Sequence, residues 1–299
     1  MPAAVGEFPV VSALALGQAT SVFAVRAPTG DMLAAKVAHT RVAAEQLTRE
    51  HRVLRRIEGH PGILRSHGLT RSSDGAPAML MDLALGQAAQ SRVKAIARPG
   101  YLARTREAAR IAWAVGEALQ HVHGRGLVHR DVKGTNVCVR EDGHTWLLDF
   151  GIAAELSGEG TDYGVFMGTV PCAAPEQVAG GILGEETDTF ALGSLLYRML
   201  LARRPYEGDS PSTLMEAHRA GPPPPPHALM PTIPRPLSLL TMAMLALDPT
   251  TRPPLPDVCA NLASQVRALD LAIARDPNGG RGVPGSLPPD PGSRDRDSG

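Results

Sequence analysis

Near residue 82 the apolar residues change their spacing, and that change limits the folds open to the chain. Before it, Val22-Phe-Ala-Val25 and Met32-Leu-Ala-Ala-Lys-Val37 flank the turn Pro28-Thr-Gly-Asp31 and read as a hairpin, with Ala78-Met-Leu-Met-Asp82 as a third strand. A single helical segment over 43–57 interrupts them, carrying Leu47, Leu54 and Ile57 near helical spacing and stopped by Gly59-His-Pro-Gly62. Beyond residue 82 the pattern is mainly helical. Ile111, Val115, Leu119 and Val122 share one face of a helix over 105–123, closed by Gly124 and Gly126. Short strands over 136–139 and 145–148 flank the turn Glu141-Asp-Gly143, residues 190–201 read as a buried helix, and the prolines of 222–226 read as an extended connection. Strands gathered first and helices after them predict an α+β fold in two lobes. The small lobe is a β-sheet with one main helix over about 8–82, and the larger, mainly helical lobe covers 83–275. From Asp276 onward the chain is Pro, Gly, Ser, Asp and Arg with almost nothing apolar, so 276–299 is expected to be a disordered tail outside a domain of 1–275.

Thirty Lys and Arg balance thirty Asp and Glu over 299 residues, so no overall field favours nucleic acid or an anionic membrane, and recognition is expected to be local. Cys138, Cys172 and Cys259 are dispersed and show no CxxC or Cys/His spacing, which argues against a disulfide framework or structural zinc and for a reducing, cytoplasmic setting. The apolar run over 190–202 is shorter than the roughly 20 residues of a membrane span and is interrupted by Arg198. The run over 10–16 has no basic segment before it, so neither a span nor a secretion signal is expected.

The chemistry concentrates in His129-Arg-Asp-Val-Lys-Gly-Thr-Asn136, followed by the second hairpin and then Asp149-Phe-Gly151. Here the chain resembles the eukaryotic-type (Hanks-type) serine/threonine protein kinases of bacteria, whose catalytic loop reads H-R-D-x-x-x-x-N and whose metal motif reads D-F-G. Phosphoryl transfer asks a protein for positioning and charge stabilisation rather than covalent work, and these residue types suit that task. The resemblance implies that Asp131 accepts or orients the substrate hydroxyl proton and that Lys133 offsets charge near the transferring phosphoryl. Asn136 and Asp149 would supply the hard oxygen ligands that Mg2+, or Mn2+ in its place, prefers. Lys36, in Leu33-Ala-Ala-Lys36, matches the strand lysine that contacts the ATP phosphates. Its helix partner would be Glu50 rather than Glu45, because Leu54, Ile57 and His60-Pro61 follow Glu50 as they do in the family.

By the same resemblance the adenine would lie between Val22 and Ala34 above and Cys138 below, with Leu148 before the metal motif, Met81 as gatekeeper and Asp82, Leu83 and Ala84 as hinge. The glycine-rich loop departs from the family: G-x-G-x-x-G-x-V aligns with Ala15-Leu-Gly17-Gln-Ala-Thr20-Ser-Val22, so only Gly17 remains to let the backbone approach phosphate. Gly168-Thr-Val-Pro-Cys-Ala-Ala-Pro-Glu176 resembles the family's G-T-x-x-Y-x-A-P-E, with Cys172 in place of tyrosine. Thr169 would bond near Asp131 and Lys133, Glu176 would pair with Arg252, and Asp188 would anchor the catalytic loop. Ser157, Thr161 and Tyr163 mark an activation loop whose autophosphorylation, in a transient homodimer, Arg130 could read.

The expected function is transfer of the ATP γ-phosphate to Ser or Thr of protein substrates. A pseudokinase or nucleotide-binding scaffold is the alternative that the eroded glycine loop and Cys172 raise, and measured turnover separates the two. A small-molecule kinase of related fold usually carries H-G-D, and Arg130, Lys133 and Ala174-Pro-Glu176 argue against it.

Overall fold

The computed structural model describes residues 1–95, 101–155 and 170–275, and the expected activation-loop acceptors, Thr169 and the tail over 276–299 lie outside them. Six antiparallel strands form the first part: β1 (Ala4–Val5), β2 (Phe8–Leu16), β3 (Thr20–Arg26), β4 (Met32–Ala38), β5 (Ser66–Arg71) and β6 (Pro77–Asp82). Their spatial order is β1-β2-β3-β4-β6-β5. A helix, α1 (Arg41–Arg56), crosses between β4 and β5, opened by Thr40, whose hydroxyl accepts from the Ala43 amide at 3.1 Å.

Side chains alternate across a strand, and here each face has its own task. Lys36 lies opposite Val22 and Met79, and Ala34 opposite Ala24 and Met81, so these residues share the face toward α1 and the body of the protein. Phe23, Val25, Ala35, Val37 and Leu80 point the other way and close a second, smaller core with Val5 of β1. β1, β2 and β5 were not legible in sequence, because β2 is mostly exposed along its length and β5 alternates polar residues around Gly68.

The second part begins with β7 (Gln87–Ala88), α2 (Ala89–Ala95) and α3 (Tyr101–His123), followed by β8 (Leu127–Val128), β9 (Val137–Val139), β10 (Thr145–Leu147) and β11 (Ala154–Glu155). The short strands pair as β10-β9-β7 and β11-β8. The strand expected to open at Asn136 starts at Val137, because Asn136 closes a 3-10 turn over Gly134–Asn136. Then come α4 (Pro175–Val178), α5 (Glu185–Leu201), α6 (Pro211–Arg219), α7 (Pro226–Leu229), α8 (Arg235–Met244) and α9 (Leu255–Arg275). The proline run is extended only to Pro225. Pro226 opens α7, as proline's fixed φ and missing N–H allow at a first helical position.

Helix α5 is buried nearly all round, with Phe190, Leu192, Leu196 and Tyr197 each at most 1% exposed, so it forms the axis around which the other helices pack. α3 and α9 approach so closely that a Cβ on Gly116 would meet the Cys259 sulfur at 2.6 Å. The main core is continuous: Leu47 and Leu54 of α1 and Met79 of β6 belong to the same buried cluster as α3, α5 and α9. The fold is thus the two-lobed arrangement expected, a curled sheet with one helix joined to a larger helical part.

His218 of α6 sits in this core beside Phe190 and Tyr206, with both ring nitrogens buried and unbonded among the described residues. Burial holds its pKa down at about 4 against an ordinary 6.5. Between those values the unfolded chain takes up a proton that the folded chain refuses, so His218 makes stability fall as pH drops through that window. Calorimetric melting from pH 7 to 4 should show a shallower loss of Tm for His218→Leu than for wild type, with little cost at pH 7.

Candidate active site

One helical stripe carries Ala43, Leu47, Glu50 and Leu54 inward, so a carboxylate stands on the buried face of α1, only 3% exposed. It requires a partner there, because an unpaired buried charge is costly. Lys36 Nζ donates to Glu50 Oε2 at 2.7 Å and to Asp149 Oδ1 at 3.1 Å. Burial alone would lower the Lys36 pKa, but Glu50 and Asp149 outweigh it and hold the ammonium above its ordinary value. Burial alone would raise the Asp149 carboxyl, and Lys36 outweighs that in turn and keeps it below its ordinary range. Glu45, the other candidate, is exposed and pairs with Arg41 within its own helix.

These residues face a cleft between the sheet and the helical part, enclosing about 1090 Å³ of empty space, open solvent included. Of the residues expected around a nucleotide, Val22, Ala34, Lys36, Glu50, Met81, Asp82, Leu83, Ala84, Asn136, Leu148 and Asp149 line it. Two expected residues do not. Gly17 lies in the turn between β2 and β3, where a Cβ would meet the Thr20 carbonyl oxygen at 2.8 Å, so glycine is needed there to close the turn. Cys138 is buried in β9 between Ala88 and Trp146, and a Cβ on Gly86 would come within 2.9 Å of its sulfur, which explains its absence from the lining. Burial pushes its thiol pKa up. The Asp82 amide donates to the Arg65 carbonyl and its carboxylate bonds Arg65 and His67, so that N–H is not available to a ligand. Leu14, Thr135 and Leu64 also line the cleft. Sequence reasoning missed them, although Leu14 stands in the apolar run over 10–16.

Thr135 and Asn136 bring the catalytic-loop motif to the cleft, while Asp131 and Lys133 stand behind them and are not among its lining residues. Asp131 Oδ2 accepts from Lys133 Nζ at 2.6 Å and from Asn136 Nδ2 at 2.9 Å. Because the Asn136 amide nitrogen serves Asp131, its oxygen is the atom Asn136 would offer a cation. With the Asp149 carboxylate, 45% exposed, the donor set is two hard oxygens, which fits a magnesium-sized ion shared with phosphate oxygens. The His129 Nδ1 accepts from the Asp131 amide at 3.2 Å, so its Nε2 carries the hydrogen and donates to the Leu148 carbonyl at 3.1 Å.

Arg130 and Asp149 adopt positive φ, 69° and 62°, a strained backbone for residues with a Cβ. Asp188, fully buried, holds the first of them: its carboxylate accepts from the amides of His129 and Arg130 and from His123 Nε2, each at 2.8 Å. The expected Glu176–Arg252 pair forms as a bidentate fork at 2.6 and 2.8 Å, with Arg252 over the Phe190 ring. Gln177 ties the same segment to the loop through the Arg130 carbonyl at 2.8 Å. Replacing Asp188 by Asn leaves too few acceptors for three buried donors, and urea unfolding should show a loss on the order of 3 kcal/mol.

Comparison with known proteins agrees with this geometry. The protein kinase domain model matches residues 8–262, and the chain belongs to that family. Its relatives include the DNA damage-responsive serine/threonine-protein kinase RqkA of Deinococcus radiodurans, 33% identical over 92% of this chain and 42% of that protein. Others are serine/threonine-protein kinase PknA of Mycobacterium tuberculosis, 34% identical over 77% of this chain and 53% of that protein, and pkn2 of Myxococcus xanthus, 29% identical over 96% and 35%. The chain thus spans roughly a third to a half of the length of these relatives. Family membership implies ATP as phosphoryl donor and a divalent metal beside it. Among the described residues no helix is long and apolar enough to cross a membrane.

Proposed function

We propose that this chain is a serine/threonine protein kinase and that Asp131, Lys133, Lys36 and Glu50 are its working residues. The observation that carries the reading is the convergence, at one cleft, of the Lys36–Glu50–Asp149 ion chain with the Asp131–Lys133–Asn136 cluster. Lys36, held by Glu50, would orient the nucleotide's inner phosphates. Asn136 and Asp149 would hold the metal, Mg2+ or Mn2+, which supplies charge neutralisation at the phosphates. Asp131 would receive the hydroxyl proton as the substrate oxygen bonds to phosphorus and the bond to the leaving phosphate oxygen breaks. Lys133, bonded to Asp131, would offset the charge that accumulates on the transferring group. Lys133 in this motif, together with the names of the relatives, supports Ser and Thr over Tyr as acceptors. Autophosphorylation within 152–169, through a transient homodimer, and a cytoplasmic location belong to the same proposal.

Incubation with labelled ATP and magnesium, followed by mass spectrometry, tests it. Wild type should label itself or a generic protein acceptor on Ser or Thr. Asp149→Ala should not, and Asp131→Asn should lose about 100-fold or more in rate while still binding nucleotide. Nucleotide binding without transfer by wild type would favour a scaffold.

A further inference from the structure

Beside the catalytic loop, and outside the cleft, lies a pocket of about 420 Å³ of empty space, open solvent included. Lys94 of α2, Arg104 of α3 and Arg198 in the last turn of α5 line it, and no carboxylate does. Among the described residues none of these three cations is in an ion pair. The Arg104 Nε is buried and has no hydrogen-bond partner among the described residues. Like charges converging in a concavity repel one another and raise the local positive potential, a cost that an anion would relieve.

The pocket is physically joined to the chemistry. Gln90 forms its wall and packs on Gly134, where an added Cβ would come within 2.8 Å of the Gln90 side-chain amide. With its carboxamide turned to satisfy both bonds, Gln90 accepts from Arg198 Nε at 2.8 Å and Nη1 at 3.1 Å, which fixes the guanidinium. Gly134 stands three residues after Asp131. Gln90 thus links the pocket to the loop that carries Asp131, from which a bound substrate segment would extend.

We propose that this pocket is a subsite for an anionic side chain, carboxylate or phosphoryl, of the protein substrate, and that it selects acidic or already phosphorylated acceptor segments. The inference rests on the kinase reading above. Guanidinium groups bind both anions by charge-assisted hydrogen bonds, and phosphoryl offers more acceptor oxygens.

Three labelled peptides test it, each with one acceptor serine flanked on both sides by glutamate, by phosphoserine or by glutamine. Binding is read by fluorescence anisotropy and turnover by kcat/KM, in wild type, Arg198→Glu, Arg198→Lys and Lys94→Glu. Wild type should bind the anionic peptides about tenfold tighter than the glutamine peptide, the size of one charge-assisted hydrogen bond. Arg198→Glu should abolish or invert that ratio, Arg198→Lys should keep most of it, and Lys94→Glu, at an exposed position, should reduce it without endangering the fold. Tighter binding of the phosphoserine peptide than of the glutamate peptide would identify the phosphoryl as the selected group, and equal binding the carboxylate. Equal binding of all three by wild type, or a preference that both glutamate variants retain, overturns the proposal. Because binding is measured apart from turnover, a protein that bound selectively but transferred nothing would sink the kinase reading and leave the subsite standing.

Discussion

The catalytic loop depends on a carboxylate that has no contact with solvent. Asp188 is fully buried, and an ion in that position is tolerated only when its lone pairs are used. It spends them on two consecutive backbone amides and one imidazole. Those amides belong to the very residues where the chain must adopt a left-handed turn at Arg130, a conformation that ordinary residues avoid. Two short-range bonds to a rigid helix therefore hold a strained turn. Because α5 is itself packed on nearly every side, the strain is transferred to the best-supported element of the protein.

A second constraint works across the cleft. Lys36 sits on a strand, Glu50 on a helix and Asp149 on a loop of the other part, and one ammonium binds both carboxylates. The pairings hold the nucleotide-facing side of the sheet in register with the metal motif. The Glu176–Arg252 fork and the Gln177 bond to the Arg130 carbonyl secure the residue before Asp131, while Asp131 itself is held by Lys133 and Asn136 of its own loop.

Much of this was legible before any coordinates. The change from short strands to long amphipathic helices gives the two-part architecture, and the His129 to Asn136 and Asp149 to Gly151 motifs locate the chemistry. Glu50 could be chosen over Glu45 because Leu54, Ile57 and His60-Pro61 follow it as they do in the family, and the structure puts Glu50 on the buried stripe of α1 and leaves Glu45 exposed. The failures have physical reasons. β5 lies at a sheet edge, where burial imposes little pattern, and β2 is exposed along most of its length. Cys138 and Gly17 match family positions, yet whether a side chain reaches a cavity depends on the close approach of Gly86 and on the turn geometry at Thr20, which one sequence does not display. The basic pocket was invisible for the same reason: Arg198 is distant in the chain from Lys94 and Arg104, and the three meet only when α2, α3 and α5 pack.

The continuity of the core across both parts carries a further consequence. Leu47 and Leu54 flank Glu50 on the same helical stripe and are buried with residues of α3 and α5. Swinging α1 outward far enough to part Glu50 from Lys36 would therefore hydrate apolar surface at the same time as it separates charges. Electrostatic disengagement and loss of packing are one event here, so the ion pair is as persistent as the burial of those two leucines.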